Sequence, residues 1–576
     1  MLEASPPAAR AVHEGWTVLR NPLAALLSCL AVCACGGQVT GNDALDAGTT
    51  PPLDLRLTGP RVFTTETQLA AAHAGIVAGQ EPFVSALVRV RAAADVALAA
   101  ELRPEHSAEH ERFFAVASAQ GIAARHLALA GRLTGEEPYL DRAAELLLAW
   151  ADTGVDSRPG SAIPASAGLV IGRVLPIFGD AYALLHHRLD PGQRARVVAW
   201  FAAMEGPIQR SQDIWVSGSM PDNGLGPPYL GHRYFNNHLG AQNLGLLTIG
   251  VVTGDEALVE HALRSPANPR NLEVLIEGVI LMPGDDLFRN DPSLDGAPPF
   301  ATGEIYDRYR VFEGKGLHYA GLHLRLLALS AAIARAHGDP VDYFAYQAPG
   351  GERLDLSFRY YAEFFLAGSA AARSGYYAGS RLDRGLETDY ELANAAYPDD
   401  ADLADVLAYR RGGFDRQTFG WSAPLTFGTS DVAGSAGRWA FARANRMLGW
   451  TIRKDLRGTT GDGALRLTVT GGDPAILSPD LLELPTATHR SLRLVMGHRT
   501  AATRGLIFFV TDEHPVVAEN RLEFVLPPAG VSPREVVVNL GAHPQYRGTL
   551  RQLRIDLVEG AAAGDVVVER IELADP

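Results

Sequence analysis

Leu133-Thr134-Gly135-Glu136-Glu137 is a helix stop followed at once by a helix start, and its reading decides the fold. Gly supplies the left-handed residue that ends one helix, and the acidic side chain after it opens the next. Downstream, Tyr139, Leu140, Ala143, Leu146, Leu147 and Trp150 recur at i, i+1, i+4, i+7, i+8 and i+11, which lays them on one helix face. Arg125 to Leu133 reads as the end of the helix before it. The same punctuation returns at Val252-Thr253-Gly254-Asp255-Glu256 and at Ala336-His337-Gly338-Asp339-Pro340. Helical hairpins recurring from about Gln68 to Ala336, too irregularly for a strict solenoid, predict an α/α toroid, an incomplete barrel of helical hairpins with a cleft at one end. The loops Ser211 to His232 and Pro283 to Gly303, rich in Gly, Pro, Asp and Asn, are long enough to line that cleft.

The pattern changes after about Trp450. Leu465, Leu467 and Val469 alternate along the chain, as do Leu492, Leu494 and Met496, then Leu506, Phe508 and Val510. Val536 to Leu540, Leu550 to Leu557 and Val566 to Leu573 complete a series of short strands, the signature of an antiparallel β-sandwich. The run Tyr546-Arg547-Gly548-Thr549-Leu550-Arg551-Gln552-Leu553-Arg554-Ile555-Asp556 resembles the jelly-roll modules appended to secreted carbohydrate-active enzymes. The expected fold class is therefore multidomain α + β, a toroid over residues 61–445 followed by a jelly-roll sandwich over 446–576. The sandwich would either brace the toroid or bind carbohydrate.

A length of 576 residues is too great for a single core, and 47% hydrophobic with 20% charged residues is ordinary for a folded soluble protein. The net charge of −15 argues against a nucleic-acid binder, though a cleft in an acidic protein can still be locally basic. All the cysteines, Cys29, Cys33 and Cys35, fall in one apolar segment. Leu23 to Val32 follows Arg10 and Arg20, has the length of an export signal, and is too short to span a bilayer. Val32-Cys33-Ala34-Cys35-Gly36-Gly37 resembles a bacterial lipobox, with Cys35 the residue to be acylated because Ala34 precedes it. Residues 1–35 are thus expected to be a lipoprotein-type signal and 36–60 a linker, the alternative being a plain secretory signal. Either reading puts the mature protein outside the cytoplasm, periplasmic, tethered to the outer membrane or secreted, with the lipid anchor its sole membrane contact.

Two stretches concentrate chemistry. Tyr234-Phe235-Asn236-Asn237-His238 opens a helix, where Asn favours the cap and turn positions it dislikes in helix interiors. Two readings are open: one of the two Asn residues simply caps the helix, or the stretch faces a polar ligand. The second stretch, Gly303 to Tyr319, packs three cations, three carboxylates, three tyrosines and a histidine into seventeen residues before an apolar helix. Paired carboxylates drawn from Glu304, Asp307, Asp285 and Asp286 would suit a glycoside hydrolase. No ligand spacing specifies a metal, and no cofactor is expected.

Asn-Asn-His, then about seventy residues later Asp295-Gly296, the Glu/Arg-rich run and Leu317-His318-Tyr319, resembles the alginate lyase superfamily of polysaccharide lyases. The resemblance spans most of residues 110–430, is greatest to polysaccharide lyase family 38, and includes Phe419-Gly420-Trp421 to Phe427-Gly428 as the segment closing the toroid. It implies β-elimination on an anionic uronate polymer, alginate or glucuronan, leaving a C4–C5 unsaturated end. In that chemistry a base takes the C5 proton, the C4 oxygen leaves, and the neighbouring carboxylate must be neutralised to stabilise an enolate-like intermediate. The resemblance assigns Asn237 as carboxylate neutraliser, His238 as neutraliser or base, Tyr319 as proton-transfer residue, and Arg308 or Arg310 as the arginine. Where alginate lyases carry an Arg seven residues before the Tyr, this chain has Phe312, with Arg310 and Arg308 nine and eleven before. Tyr234, Asn236, Tyr306, Lys315 and His318 are expected to support substrate binding. A third class, a glycan-binding lipoprotein without turnover, is the remaining alternative.

Overall fold

The computed structural model describes residues 53–217, 235–285, 297–367, 373, 375–380, 382, 385–410, 414–429, 437–479, 482, 484–515, 519–530 and 532–575. Cys35, Tyr234, Asp286 and the Asp295-Gly296 pair lie outside them.

Fifteen helices precede the sandwich among these residues: α1 (Glu66–Val77), α2 (Phe83–Ala99), α3 (His110–Thr134), α4 (Glu137–Gly154), α5 (Pro164–Leu185), α6 (Pro191–Ala203), α7 (Glu205–Ser217), α8 (Asn237–Thr253), α9 (Glu256–Leu263), α10 (Leu272–Val279), α11 (Gly316–His337), α12 (Leu354–Leu366), α13 (Asp389–Ala396), α14 (Ala401–Arg410) and α15 (Ala423–Phe427). The Gly stops work as their chemistry requires. Gly135, Gly254 and Gly338 end α3, α8 and α11 at φ of 76°, 71° and 94°, conformations costly for any side chain. Asp255 then caps α9 by accepting from the Leu258 amide.

Helices α3, α5, α8 and α11 pack in succession, and α15 packs back on α1 and α2, so the helical domain is an α/α toroid. The central members are apolar all round, as helices flanked on both sides must be; in α5 and α11 the most apolar window is 89% buried. Close approach needs small residues. A Cβ on Gly172 would meet the Ala241 carbonyl oxygen at 1.9 Å, so α5 lies backbone to backbone on α8. The ends of the domain meet at Arg125 and Asp180, both fully buried and 2.7 Å apart. Asp180 also accepts from the Phe63 and Thr64 amides and the Thr64 hydroxyl, while Arg125 donates to Ser422 and Thr426 beside α15.

The sandwich consists of two antiparallel six-stranded sheets with their own core. Among the described residues one has the order β11 (Arg521–Val525), β10 (Arg504–Thr511), β13 (Thr549–Asp556), β7 (Ala475–Leu477) and β4 (Thr451–Lys454), with β8 (Leu484–Pro485) beside β13, and the other the order β12 (Arg534–Asn539), β9 (Ser491–Arg499), β14 (Gly564–Ala574), β6 (Ala464–Val469) and β5 (Leu456–Gly461), with β3 (Arg438–Ala440) beside β14. The longest pairing joins β9 (Ser491–Arg499) to β14 (Gly564–Ala574). Strand β3 (Arg438–Ala440) pairs with β14, so sandwich structure begins ahead of residue 446. In β10 (Arg504–Thr511) the core face carries Ile507 and Phe509, whereas Phe508, from the alternation read in the sequence, is only partly buried. Every residue from Leu506 to Val510 is apolar, so nothing in the chain marks which set faces inward.

Candidate active site

Asn236 is the cap of α8: its side-chain oxygen accepts from the His238 amide at 3.1 Å. Asn237 and His238 then occupy the first turn, where the helix dipole favours an anion. The Asn237 side chain is fully buried and donates from Nδ2 to Asp307 at 3.2 Å, while its buried Oδ1 has no partner among the described residues. The His238 ring lies on Trp215 of α7, 4.4 Å between centroids, and faces the Ala165 carbonyl. Its Nδ1 is buried and has no hydrogen-bond partner among the described residues. Burial, reinforced by the charges of Arg310 and Arg173, pushes the imidazole down to about 3, so His238 is neutral at pH 7.

The second stretch folds as β2 (Glu304–Ile305), paired antiparallel with β1 (Ile280–Leu281), then a 3-10 segment Tyr306–Glu313, and then α11. Gly314, at φ 68°, turns the chain between the last two. Tyr319 stands in the first turn of α11, partly exposed, with the Arg310 guanidinium 3.8 Å above its ring. Glu313 grips that guanidinium from the far fork, with both bonds at 2.6 Å. His318 packs edge-on against Tyr319 at 4.7 Å, and the exposed Lys315 places its ammonium 5.9 Å from the same ring.

Arg308 has a different fate from Arg310. It is fully buried, donating to Glu304 and to the Pro298 carbonyl at 2.7 Å each and to Tyr376 at 3.2 Å. All its faces are committed, so it braces the segment while Arg310 alone of the two reaches Tyr319. Glu304 is equally occupied, taking Arg308, Arg373, Tyr360, Tyr377 and the Ala301 amide. Asp307 holds Asn237 on one oxygen and His323 on the other. Neither carboxylate is placed to act as a hydrolase acid or nucleophile, and Asp285 is turned back onto the Met282 amide. Tyr306 is 4% exposed, packed between the rings of Phe235 and Tyr309.

The structure thus links the two stretches. Asn237 is bonded to the 3-10 segment through Asp307, and the charge of Arg310, which lies on Tyr319, is felt by His238. Residues 95–273 match the sequence model of the alginate lyase family. That segment, about a third of the chain, is similar to alginate lyases. Two solved structures of similar proteins are alginate lyase A1-III from Sphingomonas species A1, 17% identical over 62% of this chain and 94% of that one with a TM-score of 0.40, and an alginate lyase from Bacteroides ovatus, 13% identical over 64% and 99% with a TM-score of 0.43. No curated protein matches. The matched alginate lyase segment contains Asn236, Asn237 and His238 and ends ahead of Arg310 and Tyr319.

Sequence reasoning missed Trp215, Arg173 and His323 altogether, and took Asp307 for a hydrolase carboxylate or a salt-bridge partner of Arg308 or Arg310, where the structure sets it between Asn237 and His323. Arg173, on α5, stacks on Phe114 at 3.8 Å and donates to Gln417. Its charge and that of Arg310 both act on His238, in a protein of net charge −15.

Proposed function

We propose that the protein is a polysaccharide lyase that cleaves a uronate-containing polymer of the alginate type by β-elimination, with His238, Arg310 and Tyr319 at the reacting centre. The observation that carries this reading is geometric: Asn237, beside His238 at the start of α8, is bonded through Asp307 to the 3-10 segment whose Arg310 lies 3.8 Å over the Tyr319 ring. An anionic sugar suits a helix start beside two arginines. In this reading the substrate carboxylate takes its compensation from the α8 terminus and Arg310, with Asn237 behind them. Either His238 Nδ1 removes the C5 proton and the Tyr319 hydroxyl gives its own proton to the departing C4 oxygen, or Tyr319 as phenolate takes the C5 proton and the phenol so formed passes it to that oxygen. The occupied state of Glu304 and Asp307 disfavours the hydrolase alternative.

Incubation with alginate, glucuronan and glycosaminoglycan, followed by ultraviolet absorbance, tests the proposal. Absorbance should rise with an unsaturated uronate end. Release of saturated reducing ends, or no product from any polymer, would sink it. Export with acylation at Cys35 belongs to the same reading; incorporation of labelled fatty acid that survives Cys35→Ser would refute that assignment.

A further inference from the structure

Asp307 is a fully buried carboxylate that the elimination chemistry does not use. Its Oδ1 accepts from Asn237 Nδ2 at 3.2 Å and its Oδ2 lies 2.7 Å from His323 Nδ1. Three elements therefore meet on one side chain: α8, the 3-10 segment and α11. Asp307 and Arg310, three residues apart in a 3-10 turn, share a face of it. Tyr319 and His323, four apart, share a face of α11. His323 in turn presses on α8, because a Cβ at Gly240 would come within 2.8 Å of its Nε2. Asp307 and His323 thus touch α8 at Asn237 and at Gly240, one turn apart.

A primary amide can turn either end toward a partner, and the two ends serve opposite needs: the nitrogen donates, the oxygen accepts. With an acceptor fixed at Asp307, the Asn237 nitrogen stays on that side and the oxygen is held away from it. We propose that Asp307 is the positioning residue of the elimination site, fixing which way the Asn237 amide faces and how closely α8 approaches the segment carrying Arg310 and Tyr319. The inference rests on the elimination reading above.

The test compares Asp307→Ala, Asp307→Asn, Asn237→Ala and the Asn237→Ala/Asp307→Ala double variant in the absorbance assay, at a temperature where circular dichroism shows each folded. Asp307→Ala should lose about a hundredfold in kcat, the cost of a reacting group misplaced by about 1 Å, while KM moves by less than about threefold. Asp307→Asn keeps an oxygen for Asn237 and an amide for His323, so it should recover at least about tenfold of that loss. In the Asn237→Ala background, Asp307→Ala should cost less than about tenfold, because its partner is already gone. A folded Asp307→Ala with wild-type kcat, an Asp307→Asn as poor as the alanine variant, or full additivity with Asn237→Ala overturns the inference while leaving the lyase reading standing. If Asp307→Ala does not fold, His323→Gln serves in its place, with a loss of about tenfold or more expected and wild-type kcat refuting. No unsaturated product from the wild type removes both readings together.

Discussion

Adding one methyl group at Gly240 should damage turnover more than stability. The new Cβ would lie 2.8 Å from His323 Nε2 and 2.9 Å from its Cδ2. Ordinary carbon contacts sit at about 3.5–4.0 Å, so α8 and His323 must separate by roughly 0.7–1 Å. His323 cannot yield by swinging away, since it is buried and its Nδ1 is held by Asp307. The strain therefore moves α8, and with it Asn237 and His238, relative to Tyr319. Overpacking of this kind costs about 1–3 kcal/mol, against which Ala gains about 1 kcal/mol over Gly in a helix interior, for a net loss of about 0–2 kcal/mol. A displacement near 1 Å at a reacting centre costs up to about a hundredfold, so kcat should fall between about tenfold and a hundredfold. The assay is initial rate by absorbance beside a thermal melt. Gly250→Ala is the control: its Cβ would crowd the Val259 amide nitrogen at 2.8 Å, near the far end of α8, and should lower the melting temperature with kcat unchanged. Wild-type kcat in a folded Gly240→Ala, or an equal loss in Gly250→Ala, would refute the reasoning.

Tyr319→Phe should abolish product formation with an unchanged melt, since the ring and its contact with Arg310 remain and only the hydroxyl is lost; retained turnover would remove Tyr319 from the chemistry. The two arginines should separate cleanly: Arg310→Ala lowers kcat with little change in stability, whereas Arg308→Ala takes from the buried Glu304 one of its two arginine partners, leaving Arg373, and costs about 1.5–3 kcal/mol, read by urea unfolding. Acidification should loosen the toroid. Burial holds His126 down to about 3 and His106 down to about 4, against 6.5 for the free side chain. Their contribution is complete above pH 6.5 and is lost as the unfolded chain takes up protons that the folded one refuses, about 2 kcal/mol each by pH 5. The urea midpoint should therefore fall from pH 7.5 to pH 5, by less in His126→Gln; a midpoint indifferent to pH would contradict the assignment.

The helical domain was legible because its punctuation is local. Gly135, Gly254 and Gly338 announce their own conformations, and the face containing Leu146, Leu147 and Trp150 repeats with the helical period. Asn236 as a cap is equally local. What connects Asn237 to Asp307 is not, since seventy residues separate them and a lone Asp has no spacing that marks it. His323 is hidden more deeply, a polar residue in an apolar run that reads as a satisfied core histidine until Gly240 is seen opposite it. Arg308 and Arg310 could not be ranked from the chain because both lie in one charged run. Their sorting depends on the 3-10 geometry, which buries one beside Glu304 and leaves the other over Tyr319. The face of β10 was unreadable for a different reason, an unbroken apolar stretch carrying no period.

The Arg125–Asp180 pair has a consequence for how the chain is made. Asp180 can engage Phe63, Thr64 and Arg125 once α5 has been synthesised, but Ser422 and Thr426 follow some 240 residues later. During vectorial synthesis, Arg125 thus waits with two donors unsatisfied while most of the toroid accumulates around it. Cooperative stability should therefore appear late, when the 422–426 segment arrives. A fragment truncated before residue 420 should be far more sensitive to protease than its share of missing residues suggests.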